Sequence, residues 1–213
     1  MMKTLKKCGR SYGGESQEVR DARRRTQLLD AGLQIFGTEG FRAATVRGVC
    51  AEAHVADRNF YENFASLEDL LTAVHRRSVE ELLANVVAAI GEFSTGTDVE
   101  SATRRGFNAY FEFVEDPLQA RVVWREILGV SPSVDAAYLA DTAMFGELLI
   151  SLLSLWRPNF TRDDEADVIV TTVVGGLSNM AMVWSLNGYE PSREVMVRAA
   201  GRLLLSVAAV VDG

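Results

Sequence analysis

The stretch that decides the fold runs from Thr45 to Asn63 and reads TVRGVCAEAHVADRNFYEN. Thr45 can cap a first short helix, predicted over Val46–Ala53, because its hydroxyl can accept a hydrogen bond from a free backbone N–H group. A break over Ala53–Val55 precedes a second short helix, predicted over Ala56–Asn63. Both halves carry apolar residues on one face, so we predict that they pack together as a helix-turn-helix.

The outward polar residues of this stretch indicate contact with duplex DNA. The second helix of such a unit can enter the major groove, where Arg can pair with guanine and Asn with adenine. Hydroxyl groups can donate to phosphate and fix the register of the protein on the duplex. We therefore predict base-edge or phosphate contacts from Thr45, Arg47, Arg58, Asn59, Tyr61 and Asn63.

The flanking segments extend the helical pattern in both directions. Asp21–Thr38 is amphipathic and ends near Gly40, and Ser66 opens a helix that continues to about Ile90. We predict a flexible tail over 1–20, a helix-turn-helix domain over 21–65 and a helical body over 66–213. Within the body, residues 66–90 form the connecting helix.

The body contains long apolar segments separated by short polar breaks, without the alternation of a strand. The fold class is therefore predicted as all-α with about nine helices, a helix-turn-helix domain followed by a larger helical domain. The further helices are predicted over Val99–Glu115, Pro117–Leu128, Val134–Trp156, Arg162–Asn187 and Pro191–Val211.

Charge is distributed unevenly along the chain, whose net charge is −7. Residues 1–77 carry 13 Lys and Arg against 10 Asp and Glu, whereas residues 78–213 carry 9 against 19. A basic N-terminal part on an acidic body is typical of a protein that contacts phosphate at one end.

Several other classes of protein are not supported by the sequence. Two cysteines and two histidines, without zinc-site spacing, give no reason to predict a metal or another cofactor. The uncharged segment Val168–Leu186 is long enough to cross a membrane, but its Thr, Gly, Ser and Asn residues favour a helix buried between subunits. We predict no catalytic residues, and we interpret His75 as a surface or core histidine.

Five short elements occur in register around the helix-turn-helix: Phe36-Gly-Thr-Glu-Gly-Phe41, Ala44-Thr-Val46, Ala53-His-Val55, Phe60-Tyr-Glu-Asn-Phe64 and Ser66-Leu-Glu-Asp-Leu-Leu71. Together they resemble the N-terminal domain of the TetR/AcrR family of repressors, over Arg24–Val74. The resemblance implies a bacterial, cytoplasmic regulator that binds operator DNA as a homodimer and is released by a small hydrophobic inducer. It adds Asp57 to the DNA contacts and implies dimerisation through 162–187 and 191–211.

Three positions depart from the family pattern. His54 stands where the turn commonly has Gly, and Ala56 stands where the second helix commonly has a Ser or Thr cap. Leu67 replaces a Lys that commonly contacts phosphate, and we expect Arg24 and its neighbours Arg23 and Arg25 to compensate from the first helix.

Large apolar side chains in the body predict a ligand pocket, because helical bundles can enclose apolar cavities. The predicted walls are Phe107, Phe111, Trp124, Phe145 and Trp184, with Asn179 as a polar anchor. Two other classes of protein remain open at this point. One is a helical adaptor that binds protein and not DNA, and the other is an enzyme with an unrecognised site.

Overall fold

We describe a computed structural model of the chain over residues 16–94, 96–157 and 159–210. These residues form nine α-helices and no strand, which confirms the predicted all-α class. A 3₁₀ turn, Phe41–Ala43, follows α1, and a π-helical segment, Val122–Glu126, continues α6. The helices are α1 (Gln17–Thr38), α2 (Val46–Glu52), α3 (Asp57–Asn63), α4 (Leu67–Ile90), α5 (Val99–Val114), α6 (Pro117–Arg121), α7 (Pro132–Trp156), α8 (Asp164–Leu186) and α9 (Arg193–Val210).

The first helix begins inside the segment that was predicted as a tail. Ser16 caps it, because the Ser16 hydroxyl accepts a hydrogen bond from the backbone N–H of Val19 at 3.3 Å. The predicted tail over 1–20 is therefore wrong for residues 17–20, and its part before Ser16 lies outside the described residues.

Other helix boundaries also differ from the prediction, among them the end of α6 and the start of α8. The helix predicted to run from Pro117 to Leu128 is α-helical only to Arg121, where the π-helical segment takes over. The cap of α8 is the Asp163 carboxylate, which accepts from the backbone N–H of Ala166 at 2.8 Å, so α8 begins later than the predicted Arg162.

Helices α1–α3 form a small head that packs on the first turns of α4. Arg25 fixes the end of α3 against α1, because its guanidinium lies 4.4 Å from the centroid of the Phe64 ring and donates to the carbonyl of Asn63 at 3.1 Å. The buried core of the head includes Leu28, Phe36, Val49, Phe60, Phe64, Leu70, Leu71 and Val74.

Helix α4 contributes buried residues to the head at its start and to the body along the rest of its length. The body core lies among α4, α5, α7, α8 and α9, with Leu82, Phe111 and Trp184 among its most buried side chains. Within the described chain, α7 and α8 are long and apolar enough to cross a membrane by length and composition alone.

Candidate nucleic-acid interface and apolar cavity

The helix-turn-helix is formed by α2 and α3, joined by a tight turn at His54. The hydroxyl of Thr45 caps α2 by accepting from the backbone N–H of Gly48 at 3.0 Å, as predicted. His54 has a φ of +54°, so this histidine adopts the left-handed conformation that commonly requires glycine. The turn therefore forms with a histidine at the position where glycine is common.

The start of α3 has no side-chain cap. Ala56 occupies the cap position, and no side-chain hydrogen bond caps the helix there. The Asp57 carboxylate instead interacts with the thiol of Cys50 on α2. Burial, and then the charge and hydrogen bond of Asp57, raise the pKa of Cys50 to about 11. Cys50 is thus a buried, protonated core residue, and Asp57 is part of the contact between the two helices.

Two of the predicted DNA-contacting side chains on α3 project strongly into solvent. Arg58 is 87% exposed and forms only an ion pair with Glu62, at 3.1 Å on the same helix. Tyr61 is 63% exposed, and its ring stands edge-on against Phe60 with 5.3 Å between centroids. The Phe60 contact holds the Tyr61 ring while leaving its hydroxyl at the surface. Thr45 and Arg47 at the start of α2, and Asp57, are exposed as well.

The other predicted contacts are partly engaged within the head. The side-chain amide of Asn63 donates to the carbonyl of Asn59 at 2.8 Å, and both residues are half-buried. Arg24 pairs with Asp21 at 2.9 Å on α1. Arg25, which was expected to supply charge, is held against Phe64 and Asn63. The exposed residues Arg47, Arg58 and Tyr61 are therefore the best placed for an incoming duplex.

A cavity of about 130 Å³ lies in the body among α4, α5, the π-helical segment, α7, α8 and α9. Three of the predicted walls, Phe107, Trp124 and Phe145, line it. The sequence reasoning missed the contribution of α4, although its lining residues recur at helical spacing. They are His75, Val79, Leu82, Val86 and Ile90.

The other three predicted pocket residues do not line the cavity. Phe111 and Trp184 pack edge-to-face with each other in the core, with 5.4 Å between ring centroids, and the Trp184 indole donates to the carbonyl of Pro191 at 2.6 Å. Asn179 is exposed on α8, because the neighbouring Leu177 and Ser178 occupy the cavity side of that helix.

The cavity wall is mainly apolar, and one of its tyrosines, Tyr110, is buried. The hydroxyl of Tyr110 donates to the carbonyl of Leu177 at 3.3 Å. Burial, followed by the nearby Tyr138, raises the pKa of Tyr110 far above its ordinary value. Tyr110 is therefore a neutral wall residue with its donor already used.

The π-helical segment joins the cavity to the head. Val123 and Trp124 line the cavity, while Glu126 in the same segment accepts from the backbone N–H of Phe41 at 2.8 Å. Arg121 donates to the Glu126 carboxylate at 2.7 Å and to the carbonyl of Thr38 at 2.7 Å. The end of α1 is thus fastened by charge-assisted hydrogen bonds to a wall of the cavity.

Residues 28–74 match the family model described as bacterial regulatory proteins, tetR family. The chain is similar to FasR, an HTH-type transcriptional activator of Mycolicibacterium smegmatis, with 29% identity over 79% of this chain and 74% of FasR. It is similar to KstR2, an HTH-type transcriptional repressor of Rhodococcus jostii, with 23% identity over 89% of this chain and 90% of KstR2. In fold it is similar to FadR from Bacillus subtilis, solved in complex with stearoyl-CoA, with a TM-score of 0.71, 16% identity, and coverage of 85% of this chain and 98% of FadR.

Proposed function

We propose that the protein, whose residues 28–74 match the family model of bacterial regulatory proteins of the tetR family, is a transcriptional repressor of that family and is released from its operator by a small apolar ligand. The observation that carries this proposal is the shared segment between cavity and head. Trp124 lines the cavity, and Glu126 holds Phe41 of the head, within a single short π-helical segment. A ligand that moves this segment changes the position of the head.

DNA binding is assigned to the exposed residues of α2 and α3. Arg47 and Arg58 supply positive charge, and Tyr61 supplies a rigid phenol for phosphate or base edges. The remaining predicted contacts, Thr45, Asp57, Asn59, Asn63 and Arg24, stay part of the proposal. We keep the predicted limits of the helix-turn-helix domain, 21–65, and of the helical body, 66–213, and we extend α1 of the head to Gln17.

The ligand is assigned to the apolar cavity of the body. The B. subtilis FadR structure holds stearoyl-CoA, whose acyl chain is apolar, which supports an apolar ligand here. The volume of about 130 Å³ is close to the ~150 Å³ of an engineered cavity that binds benzene. A longer ligand has to spread the surrounding helices, so it binds preferentially to a widened conformation. This difference in affinity couples ligand binding to DNA release.

Dimerisation is assigned to α8 and α9, the helices predicted over 162–187 and 191–211. Val168 and Leu186 on α8 are more than half exposed, and Leu203 on α9 is 41% exposed. A Cβ built on Gly175 or Gly176 meets no atom of this chain within 4 Å, so both glycines face outward. Two adjacent glycines let a partner helix approach closely at that point. A dimer presents two heads to two half-sites, and we place it in the cytoplasm, where a bacterium keeps its DNA.

Footprinting on the DNA beside its own gene tests the proposal directly. We expect a protected site with two half-sites and an affinity that falls linearly with the logarithm of salt concentration. Substituting Arg58→Ala and Tyr61→Ala together should weaken binding by at least about tenfold. The control Arg104→Ala removes an exposed arginine of the body and should leave the affinity unchanged.

The direction of regulation is tested with a reporter under the footprinted promoter. Deletion of the gene should raise expression from a repressed promoter, whereas an activator such as FasR would give a fall. Weak, salt-insensitive association with DNA and no protected site would contradict the proposal and favour a protein-binding adaptor.

A further inference from the structure

A buried polar pair interrupts the apolar wall of the cavity where α4 meets α7. The Nδ1 atom of His75 lies 3.0 Å from an Oδ2 of Asp141, and both side chains are 1% exposed. The other oxygen of Asp141 accepts from the guanidinium of Arg76 at 2.8 Å. These contacts fix the ring of His75 in the wall.

The second ring nitrogen of His75 has no partner among the described residues. His75 lines the cavity, and its Nε2 is buried without a hydrogen bond. Buried polar atoms without a partner are rare, since each costs about 1–3 kcal/mol. An atom of this kind in the wall of a ligand cavity is a candidate contact for the ligand.

The neighbours of His75 determine whether Nε2 donates or accepts. A carboxylate only accepts, so Nδ1 carries the proton that is shared with Asp141. A proton on Nε2 would be buried with no acceptor among the described residues. With its proton on Nδ1, the ring presents the lone pair of Nε2 to the cavity as an acceptor.

We propose that His75 is the polar anchor of the cavity and that its Nε2 accepts a hydrogen bond from a hydroxyl group on an otherwise apolar ligand. This inference rests on the proposed ligand-binding function of the cavity and specifies its chemistry. It selects alcohols and phenols over ethers and hydrocarbons of the same size. Asp141 is a positioning residue, because it acts on the ligand only through the proton it holds on Nδ1.

The test is a calorimetric comparison of two isosteric probes, n-octanol and heptyl methyl ether, on the full chain. Both are apolar chains with one oxygen, but only the alcohol can donate. We expect the wild-type protein to bind the alcohol about five- to tenfold more tightly, as one neutral hydrogen bond provides. Equal affinities in the wild type would overturn the inference.

Three variants separate the role of His75 from general effects on the cavity. His75→Leu removes the acceptor and should lower the alcohol-to-ether ratio to about one while both probes still bind. Asp141→Leu removes the acceptor of the Nδ1 proton, so that the proton is free to move to Nε2, where it can be donated to either probe, and the preference for the alcohol should fall. The control Thr142→Val removes another hydroxyl of the wall and should keep the preference.

The outcomes distinguish this inference from the proposed function. If neither probe binds, the cavity is not a ligand site, and both proposals fail. If both probes bind equally, or if Thr142→Val removes the preference as His75→Leu does, the cavity binds ligands but His75 is not its anchor. Should Asp141→Leu retain the full preference, Asp141 does not position the ring proton, and that part of the inference is overturned.

Discussion

Gly37 lies at a point where the head packs very closely against the body. It lies near the end of α1, where that helix passes α6. A Cβ on Gly37 would lie 2.9 Å from the Cα of Leu118, a distance that real Cβ atoms essentially never show. Because the obstructing atom belongs to the backbone, a side-chain rotation does not relieve the contact.

We predict that Gly37→Ala lowers the free energy of unfolding by about 1–3 kcal/mol, because two helix backbones must move apart. The control Gly146→Ala on α7 places a Cβ 3.4 Å from the side chain of Val170 on α8, an ordinary contact. It should leave stability unchanged or raise it by up to about 1 kcal/mol, through the higher helix propensity of alanine. Chemical denaturation measures both, and a stable Gly37→Ala protein would contradict the tight contact.

The π-helical segment is the element that distinguishes the body from a regular bundle. Segments of this kind are rare and are often found at functional sites. Here the segment presents Trp124 to the cavity and turns Glu126 toward the head. Its single carboxylate serves both Arg121 and the backbone of Phe41.

We predict that Glu126→Ala frees the backbone N–H of Phe41 and raises its hydrogen-exchange rate by about tenfold or more, since one charge-assisted hydrogen bond is lost. Amide exchange followed by NMR measures this rate. Glu80→Ala, which removes an exposed carboxylate from α4, is the matched control and should leave the rate unchanged. An unchanged exchange rate in Glu126→Ala would show that other contacts hold Phe41 against the π-helical segment.

Local sequence patterns determine most of the elements but not the contacts between distant ones. The caps at Thr45 and Ser66 and the helical spacing of apolar residues are local, and they predicted α2 and α4 correctly. The π-helical segment was missed, because Val122–Glu126 carries no residue that forbids an α-helix. The pairing of His75 with Asp141 was missed as well, because it joins residues from two helices and depends on how α4 packs on α7.

Pocket residues were difficult to predict for a related reason. Aromatic character alone does not say which face of a helix a residue occupies. Phe107 and Phe111 lie one turn apart on α5, yet only Phe107 lines the cavity. The exposed face of α3 could be predicted because its inner residue, Phe60, fixes the orientation of a very short helix.

At the scale of the whole molecule, the outward glycines of α8 predict how two copies meet. We expect Gly176→Trp to give a monomer, because a large side chain would hold the partner helix away from the α8 backbone. Gly176→Ala keeps the residue small and should remain dimeric. Light scattering on the purified variants measures the mass, and the monomeric variant should also lose most of its operator affinity.

A dimer that survives Gly176→Trp would place the subunit contact elsewhere on the body. The exposed apolar residues of α7, such as Leu139 and Leu155, would then be the next surface to test. In either case two heads remain necessary for two half-sites, so the affinity for a full operator should exceed that for a half-site.

The head is connected to the walls of the cavity through α4 and through the hydrogen-bonded pair Arg121–Glu126. The head tilts when a ligand displaces one of these two connections, and it moves as a rigid unit when a ligand displaces both. Ligands that fill the same cavity with the same affinity can therefore differ in their effect on DNA binding, because they can displace different connections. The affinity of a ligand and the extent to which it releases the protein from DNA are consequently separate properties. A ligand that binds tightly but leaves both connections in place would act as an antagonist.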